Sequence, residues 1–123
     1  DGTAAGTTVF KDINLYSNFW NDFSSSPRYF TVSNGKMYFS ANGQNDISAK
    51  PLLWVTDGTS AGTYNFMPNS VSPMFLQNIN NELYFGTGRY DNQNIGFWKT
   101  DGVNTVQLTS AVKPAVGNYL QYN

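Results

Sequence analysis

Three stretches of this chain carry the same short motif, and their spacing constrains the fold more than any other feature. Asp1 to Ile13 (DGTAAGTTVFKDI), Leu53 to Met67 (LWVTDGTSAGTYNFM) and Phe97 to Leu108 (FWKTDGVNTVQL) align on their Asp-Gly pairs. Upstream of the last two lies a second matching pair, FTVSNGKMYFS from Phe30 and LQNINNELYFG from Leu76. Asp1, Asp57 and Asp101 stand 56 and 44 residues apart, so the period is about 45 residues, with about a dozen extra between Asn14 and Arg28. A repeat of this length makes each unit one supersecondary element that buries its apolar surface only by stacking on its neighbours.

Inside each unit the pattern is of strands. Val32, Met37 and Phe39 alternate with polar or smaller residues around Asn34-Gly35, a dipeptide that favours a tight hairpin because both turn positions need φ > 0. Asn80-Asn81 holds the same place in the next unit, and Asn tolerates that region of the backbone map. The spacing predicts strands at 28–33, 36–41, 51–56 and 63–67, then at 74–79, 82–87, 95–100 and 104–108. No helical periodicity is sustained, and Gly, Asn, Pro and Ser interrupt the chain as an all-β protein requires.

Four short strands repeating at this interval are the sign of a β-propeller blade. The expected fold is therefore all-β, made of propeller-type four-stranded antiparallel blades, with two complete blades and partial ones at both ends. Residues 1–14 would be the outer strand of a preceding blade, with the strand itself at Thr7 to Phe10. Residues 15–27 form an aromatic insertion, 28–72 and 73–110 are the blades, and 111–123 begin a following one with an inner strand at 118–122. A closed ring needs four to eight blades. The sequence thus reads as part of a larger propeller whose end strands pair outside these 123 residues.

Composition narrows the chemistry. The chain has no Cys, so it has no disulfide, thiolate nucleophile or zinc–thiolate site, and no His, the commonest general base and metal ligand. Its net charge of -1 offers no positive surface for a nucleic-acid backbone, and no apolar run approaches a membrane span. Only 12% of residues are charged while 16% are aromatic, a balance suited to an outer-surface β protein. The chain is read as non-enzymatic, with no cofactor and no metal.

The segment Leu53-Trp54-Val55-Thr56-Asp57-Gly58-Thr59, followed by Gly62-Thr63, resembles the ELWxxDGT repeat family of bacterial surface propellers. Asp1-Gly2-Thr3 with Gly6-Thr7, and Trp98 with Asp101-Gly102, are further copies; Leu replaces the family's Glu, Val103 replaces Thr, and the third copy lacks the second Gly-Thr. The resemblance implies a propeller fold and a secreted or cell-surface location. The residues themselves imply a structural motif. Asp57 would accept from backbone amides one and two residues on, Gly58 would supply a positive φ, and the Thr59 hydroxyl would join them. Trp54 and Trp98 would press between blades.

Ligand contacts, if present, are expected elsewhere. The insertion carries Tyr16, Phe19, Trp20 and Phe23, whose rings suit a sugar face or a protein partner, although folding over their own connection is the commoner fate of such rings. Two loops in equivalent places, with Asn45 and Asp46 in one and Asp91, Asn92 and Asn94 in the other, offer oxygen donors for a partner, a sugar or weak calcium, yet Asn, Asp and Gly also simply make turns. Glu82, the only Glu, has no second acid at a glycosidase spacing and is expected to be solvated, as are Arg28, Arg89 and the five Lys. The expected function is a non-catalytic interaction or adhesion module of a secreted or surface-attached bacterial protein. A carbohydrate-binding lectin propeller is the alternative, and part of a hydrolase propeller with its catalytic residues elsewhere is the third. The expected partners are a protein or the remaining blades, then a glycan.

Overall fold

Antiparallel ladders account for nearly all the regular structure of the computed structural model, which describes residues 2–15, 17–18, 21–22, 24–43, 50–67, 72–88 and 95–110. Strands β3 (Arg28–Ser33), β4 (Lys36–Asn42), β5 (Pro51–Thr56) and β6 (Tyr64–Met67) form one sheet in that order. Strands β7 (Met74–Ile79), β8 (Glu82–Thr87), β9 (Gly96–Thr100) and β10 (Thr105–Ser110) form a second. A two-residue ladder, β1 (Ser17–Asn18) with β2 (Asn21–Asp22), lies in the insertion and was not foreseen. No helix occurs among the described residues. All eight expected strands are present, with β6, β9 and β10 each starting one residue late and β10 running two residues beyond its expected end.

The two sheets repeat in their backbone as well as their order. Asn34 and Gly35 take φ of 48° and 71°, and Asn80 and Asn81 take 52° and 64°, which closes both hairpins with the two-residue turns that the strand twist favours. Less expected, Tyr29 and Phe75 both lie at positive φ, 60° and 55°, inside the register shifts of β3 and β7. Two aromatic residues held in a costly conformation at the same repeat position show that the bulge belongs to the unit rather than to either sequence.

Register decides which side chains share a face. Tyr38 is opposite Val55 and Ser40 opposite Leu53, so these four occupy one face of the first sheet; Phe39 opposite Trp54 and Ala41 opposite Leu52 occupy the other. In the second sheet Phe85 is opposite Trp98 and Leu83 opposite Thr100, while Tyr84 with Lys99 and Gly86 with Phe97 face the other way. Tyr38, Leu53 and Val55 pack against Leu76, Leu83 and Phe85, forming the core between the sheets, with Phe66, Met67 and Trp98 at its rim. Tyr38 and Phe66 meet edge to face at 5.4 Å. The edge strands β3 and β7 lie side by side. There the Thr31 hydroxyl donates to the Leu76 carbonyl (3.2 Å), and the Asn34 amide donates to the Asp101 carbonyl (2.9 Å).

The opposite face of the first sheet holds Phe39, Ala41 and Trp54, covered by Ile13 and Leu52. Gly43 lets this cover close, since a Cβ there would strike both Ile13 and Trp54. Thr7 to Phe10, expected as an outer strand, is exposed and belongs to no ladder. A strand is defined by its neighbour, and no described strand lies beside this stretch. The other expected end strand, at 118–122, lies outside the described residues.

Candidate functional site

The motif loops are closed by dense local hydrogen bonding. At Asp57, Oδ1 accepts from the Thr59 amide (2.9 Å) and the Thr59 hydroxyl (2.7 Å). The Thr59 hydroxyl oxygen in turn accepts from the Gly62 amide (2.9 Å), and the Thr63 hydroxyl donates to the Thr59 carbonyl (2.6 Å). The first copy repeats this arrangement: the Gly6 amide donates to the Thr3 hydroxyl oxygen (2.9 Å) and the Thr7 hydroxyl to the Thr3 carbonyl (2.8 Å).

Two details correct the expectation from sequence. The amide one residue after the aspartate does not reach its carboxylate: Gly58 donates to the Thr56 hydroxyl (3.0 Å), and Gly102 to that of Thr100 (3.0 Å). The second Gly of the motif is a steric requirement, because a Cβ at Gly62 would overlap the Asp57 carboxylate. Thr56 and Thr100 are therefore working parts to which the sequence alone assigned no role, although a Thr stands before the Asp-Gly of both copies; Gly62 and Thr63, quoted there as part of the pattern, gain a role here.

Asp101 compensates for its shorter loop with Asn104. Its Oδ1 accepts from the amides of Val103 (2.8 Å) and Asn104 (2.7 Å), and Oδ2 from the Asn104 side chain (3.1 Å). These bonds, the Asn104 amide foremost, hold its pKa down to about 2. The Thr59 hydroxyl and amide likewise lower that of Asp57. Both carboxylates are kept ionised and spent on their own loops. Trp54 and Trp98 hold equivalent places, the first buried and the second at the rim of the inter-sheet core. Their indole N–H groups donate to the Ala41 carbonyl (3.2 Å) and the Thr87 hydroxyl (3.0 Å).

Glu82 is not simply solvated. It pairs with Lys99 at 2.9 Å and accepts from the Tyr84 hydroxyl at 3.1 Å, and the Lys99 hydrogen bond pulls its pKa below the usual carboxylate range. A glycosidase acid needs the opposite shift. Lys11 is also engaged: its ammonium donates to the carbonyls of Ser60 (2.9 Å) and Thr63 (2.5 Å), tying the N-terminal stretch to the Asp57 loop. Beside that tie runs a cleft of about 420 Å³ lined by Lys11, Asp12, Leu15, Trp54, Tyr64 and Asn65. The Asn65 carboxamide is enclosed and has no hydrogen-bond partner, whereas Gln107, at the equivalent position and one methylene longer, reaches the Thr109 carbonyl (3.3 Å).

Asp1, Tyr16, Phe19, Trp20, Phe23, Asn45, Asp46, Asp91, Asn92 and Asn94 lie outside the residues whose side chains are described. Among the described residues, no group of three or more acidic side chains is placed to hold a metal, and no helix is long and apolar enough to cross a membrane. No family model, curated protein or solved structure matches the chain.

Proposed function

We infer that the two sheets are consecutive blades of a β-propeller of the ELWxxDGT type, and that the chain serves as a non-catalytic interaction or adhesion module of a secreted or surface-attached bacterial protein. The observation that carries this reading is the way the sheets stack. Each is a four-stranded meander with its first strand beside that of its neighbour, and one face of the first sheet packs on the opposite face of the second. The motif carboxylates support the non-catalytic part, since lowered pKa values and hydrogen bonds to their own loops suit loop fixation better than proton transfer. The cleft beside Tyr64 favours the lectin propeller as the second reading, because its exposed ring beside the Asp12 carboxylate is chemistry that holds a sugar.

The test is binding of the purified chain to two immobilised sets, extracellular-matrix proteins and glycans, with antibody labelling of intact producing cells alongside. Saturable binding to proteins and surface labelling are the expected results. Glycan binding lost on Tyr64→Ala would move the assignment to a lectin. Label confined to the cell interior would overturn the surface location.

A further inference from the structure

Each sheet has two faces, and the repeat makes their burial directly comparable. The face of the first sheet that meets the second buries Ser33, Tyr38, Leu53 and Val55 to 1% exposure or less. The equivalent face of the second sheet carries Ile79 at 51% and Phe97 at 41% exposed, together with Tyr84. The complementary comparison gives the same result. Leu76 and Leu83, which the second sheet presents to the first, are buried, while their counterparts Phe30 and Met37 are 57% and 37% exposed. Two positions differ: Val55 of the core has Lys99, paired with Glu82, as its counterpart, and Phe85 has Phe39, already covered by Ile13. Around them, the described residues of one chain display most of both halves of its own internal interface.

The polar contacts of that interface are duplicated as well. Between the sheets, Thr31 donates to the Leu76 carbonyl and Asn34 to the Asp101 carbonyl. The residues in the positions of Thr31 and Asn34 on the open face are Gln77 and Asn80, both exposed and both amide donors. The matching acceptors on the other open face are the carbonyls of Phe30 and Asp57. The Tyr38 hydroxyl approaches Gly102 so closely that a Cβ there would lie 2.9 Å away. Its counterpart pair, Tyr84 and Gly58, is also present.

We propose that the open face of the second sheet is a docking surface for the open face of the first sheet in a second copy of this chain. Tyr84, Ile79 and Phe97 of one copy pack on Phe30, Val32 and Met37 of the next, and the Gln77 and Asn80 amides donate to the Phe30 and Asp57 carbonyls. The contact covers the inner half of the sheet, since Ile13 already covers Trp54 farther out. Because the two patches differ, the association is head-to-tail, and it continues until it closes into a ring or runs on as a filament. The proposal rests on reading the sheets as stacked blades.

Sedimentation and light scattering of the 123-residue chain at about 100 µM test it. The wild type is expected to exceed the 13.7 kDa monomer. Phe97→Lys on one face and Phe30→Lys on the other should each weaken association at least tenfold and leave a monomer. An equimolar mixture of the two variants should form a dimer and nothing larger, because each retains one intact and complementary face. Ile79→Lys and Val32→Lys replace either variant if circular dichroism shows it unfolded. A monomeric wild type, single variants that keep the wild-type size, or a mixture that stays monomeric would each overturn the proposal. The reading of the sheets as stacked blades is tested separately, by truncations in the core between them, so failure of one is distinguishable from failure of the other.

Discussion

Leu83 and Met37 occupy the same position in the two units, so truncating each to Ala isolates what stacking contributes. Leu83 is fully enclosed between the sheets, with Tyr38, Leu53 and Val55 opposite. Its truncation loses the transfer free energy of the side chain and leaves a cavity whose walls belong to two sheets and relax poorly, a cost of about 3 kcal/mol. Met37 is 37% exposed on the open face. Its loss forfeits only part of a burial worth roughly 1.5–3 kcal/mol and leaves no cavity, a cost of about 1 kcal/mol. A 123-residue domain has roughly 6–18 kcal/mol of stability, so both variants should fold. Urea unfolding followed by tryptophan fluorescence and by far-ultraviolet dichroism measures the difference. With a slope of about 2 kcal/mol/M, the midpoints should fall by about 1.5 M for Leu83→Ala and about 0.5 M for Met37→Ala. Equal shifts would refute the argument that stacking alone distinguishes the two sites. Two separate transitions in the wild type would refute the shared core.

Acid should weaken the chain through Asp101: its pKa is about 2 in the fold against an ordinary 3.8, so its contribution is complete above pH 4 and disappears as pH falls towards 2. Asp101→Asn should flatten the dependence of melting temperature on pH in that window, and an unchanged dependence would place its cause elsewhere. Gly62→Ala should lower the melting temperature in the wild type but not in an Asp57→Ala background, where the colliding carboxylate is gone; equal losses in both would show that the glycine serves some other purpose. Asn65→Leu should stabilise the fold by about 1 kcal/mol by removing an enclosed amide without partners, and a loss of stability in thermal melts would mean that the amide is bonded after all. Gly35→Ala, at φ 71°, should cost about 1 kcal/mol in the same melts, and no loss would contradict the two-residue turn.

The strands and turns were legible because their causes are local. Alternation around Asn34-Gly35 and Asn80-Asn81, and the recurrence of Asp-Gly, depend on neighbours a few residues away, and the strands lie within two residues of where that pattern puts them. The role of Asp57 and Asp101 in fixing their loops was legible for the same reason. What only the tertiary structure decided is everything that depends on a residue far along the chain. Lys11 is equivalent to any other lysine in the sequence until the fold brings the Ser60 and Thr63 carbonyls to its ammonium. Glu82 likewise gains Lys99 only when β8 and β9 pair. Thr7 to Phe10 has the residues of a strand but pairs in no ladder among the described residues, since a ladder requires two chain segments. Burial follows the same division. Repeat-equivalent residues such as Met37 and Leu83 read alike in sequence, and they diverge because one face of each sheet is covered by the other sheet and one is left open.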